Sequence, residues 1–327
     1  HVVFILERGV RFPLGPPTYF NYMYKIGIIQ NIHEDGIKLL KNNKKFVYEI
    51  IDDVSEDNLL KKIHLYDGIS LRTAKLSNNI LSKASRLKVI SRHGVGYDNV
   101  DVNFLKKKNI ILLITATANA TAIAEHVFYL MLTISRNYLN LDNEVRLGNF
   151  KNNINKFETF ELNNKEILIA GFGRIGRNLI KKCLSFDMNV KIYDPFVDAK
   201  QINSLGGKKI DNLDDGLKTA DFLSMHMPLN NDTKDLINFK RMRTMKNTAV
   251  ILNTARGGIV NEQDLNKALN ENIILAAGLD VFVNEPINLD NPLLKNKKVI
   301  LSPHTAGLTN ECKIRMAKET TQNIIDF

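Results

Sequence analysis

Short apolar runs recur along the chain, each closed by glycine or polar residues and separated by stretches with helical spacing. In the first third they fall at Tyr24–Ile29, Phe46–Ile51, 67–71, 87–91 and 110–114. In the remainder they fall at 167–170, 190–193, 221–226, 248–253, 276–281 and 299–302. Runs of this length, too short for helices and without strict alternation, predict strands buried on both faces of a parallel sheet. Between them lie helical patterns. Residues 122–141 form one long predicted helix in which Ala124, Val127, Phe128, Met131, Leu132 and Ser135 make a broad apolar face. Another helix is predicted over 261–271. Strand and helix alternating twice over predict an α/β protein with two doubly wound parallel sheets.

One stretch organises the second sheet. The strand at 167–170 runs into Gly171-Phe172-Gly173-Arg174-Ile175-Gly176, then a helix, then a second strand that ends on Asp194, 18 residues past Gly176. Gly171 permits a tight turn, Gly173 lets a pyrophosphate approach the backbone, and Gly176 lets the helix pack on the strand. The helix N-terminus offers free N–H groups and positive potential to phosphates. An acid at the place of Asp194 accepts from the two hydroxyls of an adenosine ribose and repels a 2′-phosphate. Pro195 brings no N–H, and no arginine follows to receive that phosphate. The pattern therefore predicts a Rossmann unit whose cofactor is NAD rather than NADP.

At 327 residues the chain exceeds one ordinary domain, and 44% hydrophobic with 24% charged residues is globular composition. The expected division is 23–118 with 303–327 as a substrate domain, and 119–302 as the NAD domain. Pro13, Pro16 and Pro17 make 1–22 an expected extension outside the fold. The chain stops inside a helical pattern at Phe327, so a missing C-terminal piece is expected. The net charge of +10 comes from lysines spread along the chain, with Lys106, Lys107 and Lys108 the longest basic run. That is the distribution of a solvated surface, and it implies no nucleic-acid or membrane partner. No apolar run is long enough to span a bilayer. Cys183 and Cys312 have no metal-ligand spacing, which implies no metal site and fits a reducing, cytoplasmic setting.

Ligand groups in doubly wound sheets gather beyond the carboxyl ends of strands. Arg72 and the Arg92-His93-Gly94-Val95-Gly96 loop fall there in the first half. In the second half the same reasoning singles out Arg256, Glu285 and His304. An imidazole can pass a proton in either direction, a carboxylate can orient it and stabilise its cation, and a guanidinium can hold a carboxylate by two N–H bonds. Taken singly, each has an ordinary reading as a capping arginine, a surface glutamate or a core histidine. His126 reads as a packed helix residue.

Together, LNTARGG at 252–258, LDVFVNEP at 279–286 and SPHTAG at 302–307 resemble the signature segments of the D-isomer-specific 2-hydroxyacid dehydrogenases. GFGRIG resembles that family's cofactor loop, RHGVGYDNVD at 92–101 its substrate loop, and NATAIAEH at 119–126 the start of its linking helix. The likeness runs from about Met23 to Phe327 and implies a Rossmann NAD domain joined to a flavodoxin-like substrate domain. It also implies a hydride transfer between NAD and C2 of a D-2-hydroxy acid or 2-oxo acid. Arg256 would bind and polarise substrate, Glu285 would partner the histidine, and His304 would be the acid/base. Arg72, Gly94, Val95 and Gly96 would hold the substrate carboxylate, and Asp280 would touch the nicotinamide amide. Arg174, Ile175, Asp194, His226, Pro228, Thr233, Thr254, Ala255 and Gly307 would line the cofactor site with Gly171, Gly173 and Gly176. Within the family, LRTAKL at 71–76 is most like the phosphoglycerate-acting branch, while His93 stands where that branch often has a small residue. Hydroxypyruvate or glyoxylate reductases and broad D-lactate-type enzymes stay open. So do an NAD-sensing binding protein of the corepressor kind and a non-catalytic fragment. The family implies a homodimer, which the broad apolar face of 122–135 with Tyr138 and Leu141 is expected to build.

Overall fold

The computed structural model of the protein describes residues 5–6, 22–150 and 156–327. The chain divides into two compact units, 1–119 with 308–327, and 120–307. The expected cuts were at 118/119 and 302/303.

The first unit carries six strands: β1 (Ile5–Leu6), β2 (Tyr24–Ile29), β3 (Phe46–Ile51), β4 (Gly68–Leu71), β5 (Val89–Arg92) and β6 (Ile111–Ile114). They pair in parallel in the order β1-β6-β5-β4-β2-β3. Helices α1 (Glu34–Lys41), α2 (Glu56–Lys62), α3 (Asn78–Ser82) and α4 (Val102–Lys107) form the connections. The strand runs are continuously apolar because successive side chains feed two different cores. Ile28 packs with Leu40, Val89 and Leu113, whereas Ile29 packs with Leu59, Ile69 and Ile90. Local signals agree with this. Ser55, Ser77 and Asp101 cap α2, α3 and α4, and α1 has Glu34 and Asp35 in its first turn and Lys38 and Lys41 in its last, complementing the helix dipole. The chain winds outward from β2 in both directions, the flavodoxin-like order that the sequence implied.

The second unit holds β7 (Glu166–Ala170), β8 (Asn189–Tyr193), β9 (Lys208–Ile210), β10 (Phe222–Met225), β11 (Val250–Asn253), β12 (Ala276–Leu279) and β13 (Val299–Leu301). All pair in parallel, in the order β13-β12-β11-β10-β7-β8-β9. Around them lie α5 (Ala120–Ser135), α6 (Tyr138–Arg146), α7 (Arg174–Leu184), α8 (Ala199–Asn203), α9 (Leu213–Thr219), α10 (Phe239–Met242) and α11 (Glu262–Asn270). The strand order reverses between β7 and β10, so the switch point of this Rossmann sheet lies where the glycine turn leaves β7. The chain then returns to the first unit as α12 (Asn310–Asp326). There Thr320 Oγ1 donates to the Ser91 carbonyl at 3.1 Å, Asn323 Nδ2 to that of Ile114 at 3.2 Å, and Arg315 Nε to that of Ala118 at 2.9 Å. Glu319 Oε1 accepts from Ala116 N–H at 3.0 Å.

Three readings of the sequence need correction. The long helix over 122–141 is two helices, because Asn137 takes a left-handed conformation (φ 47°) between α5 and α6. Asparagine tolerates that region better than most residues, and the apolar periodicity gave no hint of the break. The broad face of α5 is also not free. Ala124, Val127, Phe128, Leu130 and Met131 are buried in the core with Leu179, Ile180 and Cys183 of α7. At about 1.5–3 kcal/mol for each large side chain buried, that packing far outweighs helix propensity. On α5 Tyr129 is exposed, and the exposed apolar side chains that follow are Tyr138, Leu139 and Val145 of α6 with Leu147 and Phe150 after it, while α6 buries none of its residues. Finally, parts of the expected extension 1–22 belong to the fold. Ile5 and Leu6 pair with Leu112 and Leu113, and Tyr22 Oη donates to Asp67 Oδ1 at 2.9 Å. The rest of that stretch lies outside the described residues.

Glu49 on β3 bonds Lys62 at 2.7 Å and Lys25 at 3.1 Å. The Lys62 bond, helped by Lys25 and opposed by partial burial, lowers its pKa from 4.5 to about 2. A depressed carboxylate stabilises the fold above its unfolded pKa and loses that contribution as pH falls through the folded value. Glu49→Gln should therefore cost about 1–2 kcal/mol at neutral pH, a figure discounted for a side chain 30% exposed. The deficit should shrink from pH 4.5 toward 2. Urea unfolding of both proteins across that range checks this, and a pH-independent difference would contradict it.

Candidate active site

In the second unit all strands run the same way, so every loop that follows a strand emerges on one edge of the sheet. The glycine turn follows β7, Asp194 follows β8, His226–Pro228 follow β10, Thr254–Arg256 follow β11, Asp280 and Glu285 follow β12, and 302–307 follow β13.

Gly171 has φ +97°, and a Cβ there would lie 2.5 Å from the His226 carbonyl oxygen, so the turns after β7 and β10 meet at the switch point. A Cβ at Gly176 would lie 2.6 Å from the Gly171 oxygen, whereas one at Gly173 would meet nothing within 4 Å. Gly173 is also the N-cap of α7 and supplies no side-chain cap, so no side chain there takes up the N–H groups of the first turn. This is a cradle shaped for a phosphate on a helix N-terminus. Asp194 accepts from Phe172 N–H through Oδ2 (2.7 Å) and from Phe196 N–H through Oδ1 (2.9 Å). Each oxygen keeps a lone pair for a further donor. Two buried polar atoms on the same edge, Thr254 Oγ1 and His226 Nδ1, have no hydrogen-bond partner among the described residues. The His226 ring bonds Ser224 at 2.8 Å, and burial pushes its pKa down to about 3, so it is a neutral group beneath the turn. Thr233 Oγ1 ties its own loop by donating to the Pro228 carbonyl at 2.7 Å.

His304 Nδ1 lies 2.7 Å from Glu285 Oε2. The carboxylate can only accept, so Nδ1 carries the proton and Nε2 is left toward the outside, with the ring half exposed. Glu285 Oε1 accepts from Phe282 N–H at 3.0 Å. Burial opposes the Glu285 anion. The bonds from His304 and Phe282, with the nearby charges of His304 and Arg256, outweigh it and hold the carboxyl below its usual range. Glu285 therefore feels both cationic groups singled out by the sequence.

Asp280, the expected contact of a nicotinamide amide, is fully buried. Its Oδ1 accepts from Ser302 Oγ (2.6 Å) and Thr305 N–H (2.8 Å), its Oδ2 from Ala306 N–H (2.9 Å), and its carbonyl from His304 N–H (2.8 Å). Asp280 thus anchors the whole 302–306 loop. Asn253, which sequence reasoning passed over, does the same for the arginine loop. Its Oδ1 accepts from Ala255 N–H at 3.1 Å and its Nδ2 donates to the Arg256 carbonyl at 2.8 Å. A buried asparagine closing an apolar strand was the available signal. His126, the packed helix residue of the sequence reading, has its Nε2 3.0 Å from Ser302 Oγ.

Arg72, Gly94, Val95 and Gly96 belong to the first unit. There Arg72 donates to the Asn31 carbonyl at 2.9 Å. Arg92 donates to the carbonyls of Leu71 and His93 and to Asn99, which in turn holds the carbonyls of Arg72 and Ala74. Burial, with the charges of Arg72 and Arg92, depresses the His93 pKa to about 4.

A Rossmann sheet with a phosphate cradle at its switch point is the arrangement of a dinucleotide-binding protein, and a histidine–carboxylate pair stands on the same edge. Comparison with known proteins agrees. Residues 128–306 match the family described as D-isomer specific 2-hydroxyacid dehydrogenase, NAD binding domain. The chain is 36% identical over 292 residues to a D-3-phosphoglycerate dehydrogenase of Methanocaldococcus jannaschii, covering 89% of this chain and 55% of that one. It thus spans about half the length of that relative. It is 34% identical to a glyoxylate reductase of Thermococcus litoralis, covering 93% of each chain. Among solved structures, the D-lactate dehydrogenase from Aquifex aeolicus complexed with NAD and lactic acid superposes with a TM-score of 0.81 at 28% identity, covering 92% of this chain and 94% of that one. The chain belongs to the D-isomer specific 2-hydroxyacid dehydrogenase family.

Removing the Asn253 side chain leaves the Ala255 N–H and the Arg256 carbonyl without their partner in a buried place. Asn253→Ala should cost about 1–3 kcal/mol in urea unfolding. A loss too small to measure would show that the arginine loop holds itself.

Proposed function

We propose that this chain interconverts a 2-oxo acid and the D-2-hydroxy acid with NAD(H) as cofactor. The His304–Glu285 pair at 2.7 Å, whose carboxylate also feels the Arg256 charge, carries the reading. Bound NADH supplies the hydride that reaches C2 of the oxo acid. Arg256 offers two parallel N–H bonds to the substrate carboxylate and polarises the neighbouring carbonyl. His304 delivers the proton to the carbonyl oxygen from Nε2, and Glu285 stabilises the imidazolium that holds it. In the reverse direction His304 takes that proton back. Asp194 favours NAD(H), since its two oxygens suit two ribose hydroxyls and oppose a 2′-phosphate.

The relatives are named for phosphoglycerate and for glyoxylate, so those substrates lead the candidates. A homodimer and a cytoplasmic location are part of the reading. The first is supported by the exposed apolar side chains of α6, the second by two buried, unpaired cysteines.

NADH oxidation with phosphohydroxypyruvate, hydroxypyruvate, glyoxylate, pyruvate and 2-oxoglutarate tests the class. At least one should be reduced, and NADPH should serve less well. On the best substrate, His304→Ala should lower kcat about 10²–10⁴-fold while NADH binding persists. Full turnover by that variant, or no reduction of any member of the panel, would overturn the mechanism.

A further inference from the structure

Histidine 304 stands in a conformation that its sequence position does not by itself favour. Its φ is +53°, in the left-handed region where residues other than glycine are uncommon. Such a conformation persists when the surroundings over-determine it. Here the determinant is Asp280, which receives the backbone N–H groups of His304, Thr305 and Ala306 and the hydroxyl of Ser302.

Proton counting extends this network by one residue. A serine hydroxyl has a single proton. The Ser302 Oγ–Asp280 Oδ1 distance of 2.6 Å to an acceptor-only carboxylate assigns that proton to Asp280. Ser302 Oγ can then only accept from its other neighbour, His126 Nε2, at 3.0 Å. His126 must therefore be the donor and carry its proton on Nε2. The same nitrogen lies 3.8 Å from Asp280 Oδ1, so the imidazole N–H dipole also points toward the buried carboxylate. His126 projects from α5, whose opposite side is fixed in the core by Ala124, Val127 and Met131, and its side chain is only 16% exposed. Burial lowers its pKa, with the Asp280 charge acting the other way.

We infer that His126 is a positioning residue for His304: as an Nε2–H donor it locks Ser302 against Asp280, and through that pair fixes the loop that presents His304 to Glu285. The inference rests on the proposed dehydrogenase reading for its kinetic consequence, but the hydrogen-bond assignment stands apart from it. His126 acts on Ser302 and Asp280 and not on a reacting atom. It acts by keeping the 302–306 backbone in the one conformation that aligns the Nδ1–Glu285 bond.

Two variants and one spectrum test it. Nitrogen-15 resonances of the imidazoles in the wild-type protein should show His126 protonated on Nε2 and bare on Nδ1. The opposite tautomer would overturn the assignment. His126→Leu removes the donor. It should lower kcat about 3- to 10-fold, the worth of one hydrogen bond, with KM for NADH nearly unchanged. It should also speed hydrogen exchange at the Thr305 and Ala306 amides. His126→Gln keeps an N–H donor of similar reach and should restore most of both losses. Wild-type turnover and exchange in His126→Leu, or equal losses in both variants, would show that the ring only fills space. Should His126→Leu fail to fold, the nitrogen spectrum and the near-normal turnover expected of His126→Gln still decide. If no 2-oxo acid is reduced by the wild-type protein, the proposed function fails, while the spectrum and the amide exchange continue to test the positioning role.

Discussion

Parallel pairing of the seven strands in the second unit is the constraint on which its site depends. A parallel ladder cannot be closed by tight hairpins, so each strand needs a crossover, and each crossover begins on the same edge. Six separate sequence segments, from the glycine turn to the 302–307 loop, are delivered to that edge without any of them being adjacent in sequence. The buried apolar strands supply rigidity, and the loops supply chemistry. Where the strand order reverses, Gly171 sits against the His226 backbone too closely for any side chain. The cofactor cradle is thus a direct product of sheet topology.

Buried polar groups then set the loops. Asp280 is removed from water, which is costly for a carboxylate unless donors replace the lost hydration. Three bonds to its carboxylate do so, a fourth reaches its carbonyl, and each runs from the 302–306 segment. The cost of burying the acid is what gives that segment one conformation. Asn253 applies the same logic to the arginine loop with a neutral side chain. Glu285 stands at the other extreme. Its side chain is 38% exposed, and it stays ionised because His304, Phe282 N–H and Arg256 favour the anion. A structural carboxylate inside and a hydrogen-bonded histidine–carboxylate pair at the rim divide support from chemistry.

Much of this was legible in the sequence because strands buried on both faces leave an unambiguous mark. Every strand of four or more residues was anticipated within a few residues of its ends, and Gly171, Gly173, Gly176 and Asp194 fall where the spacing put them. What could not be read depends on tertiary partners. The three-residue β9, Lys208–Ile210, has no apolar run of its own. The break at Asn137 is a single dihedral change inside a sustained helical pattern. The face of α5 looked free because periodicity tells that a face is apolar, and not what covers it. The bonds that Asp280 and His126 make were hidden for a related reason. Residue type announces a carboxylate or an imidazole, but the direction in which it points is decided by the loop it meets.

The proposed hydride transfer from NADH to C2 of a 2-oxo acid is reported most directly by isotopic transfer. NADH deuterated at the transferable C4 position, with hydroxypyruvate or phosphohydroxypyruvate as acceptor, should place deuterium at C2 of the product. That product should have the D configuration alone. Product with hydrogen from solvent at C2, or with the L configuration, would contradict the account.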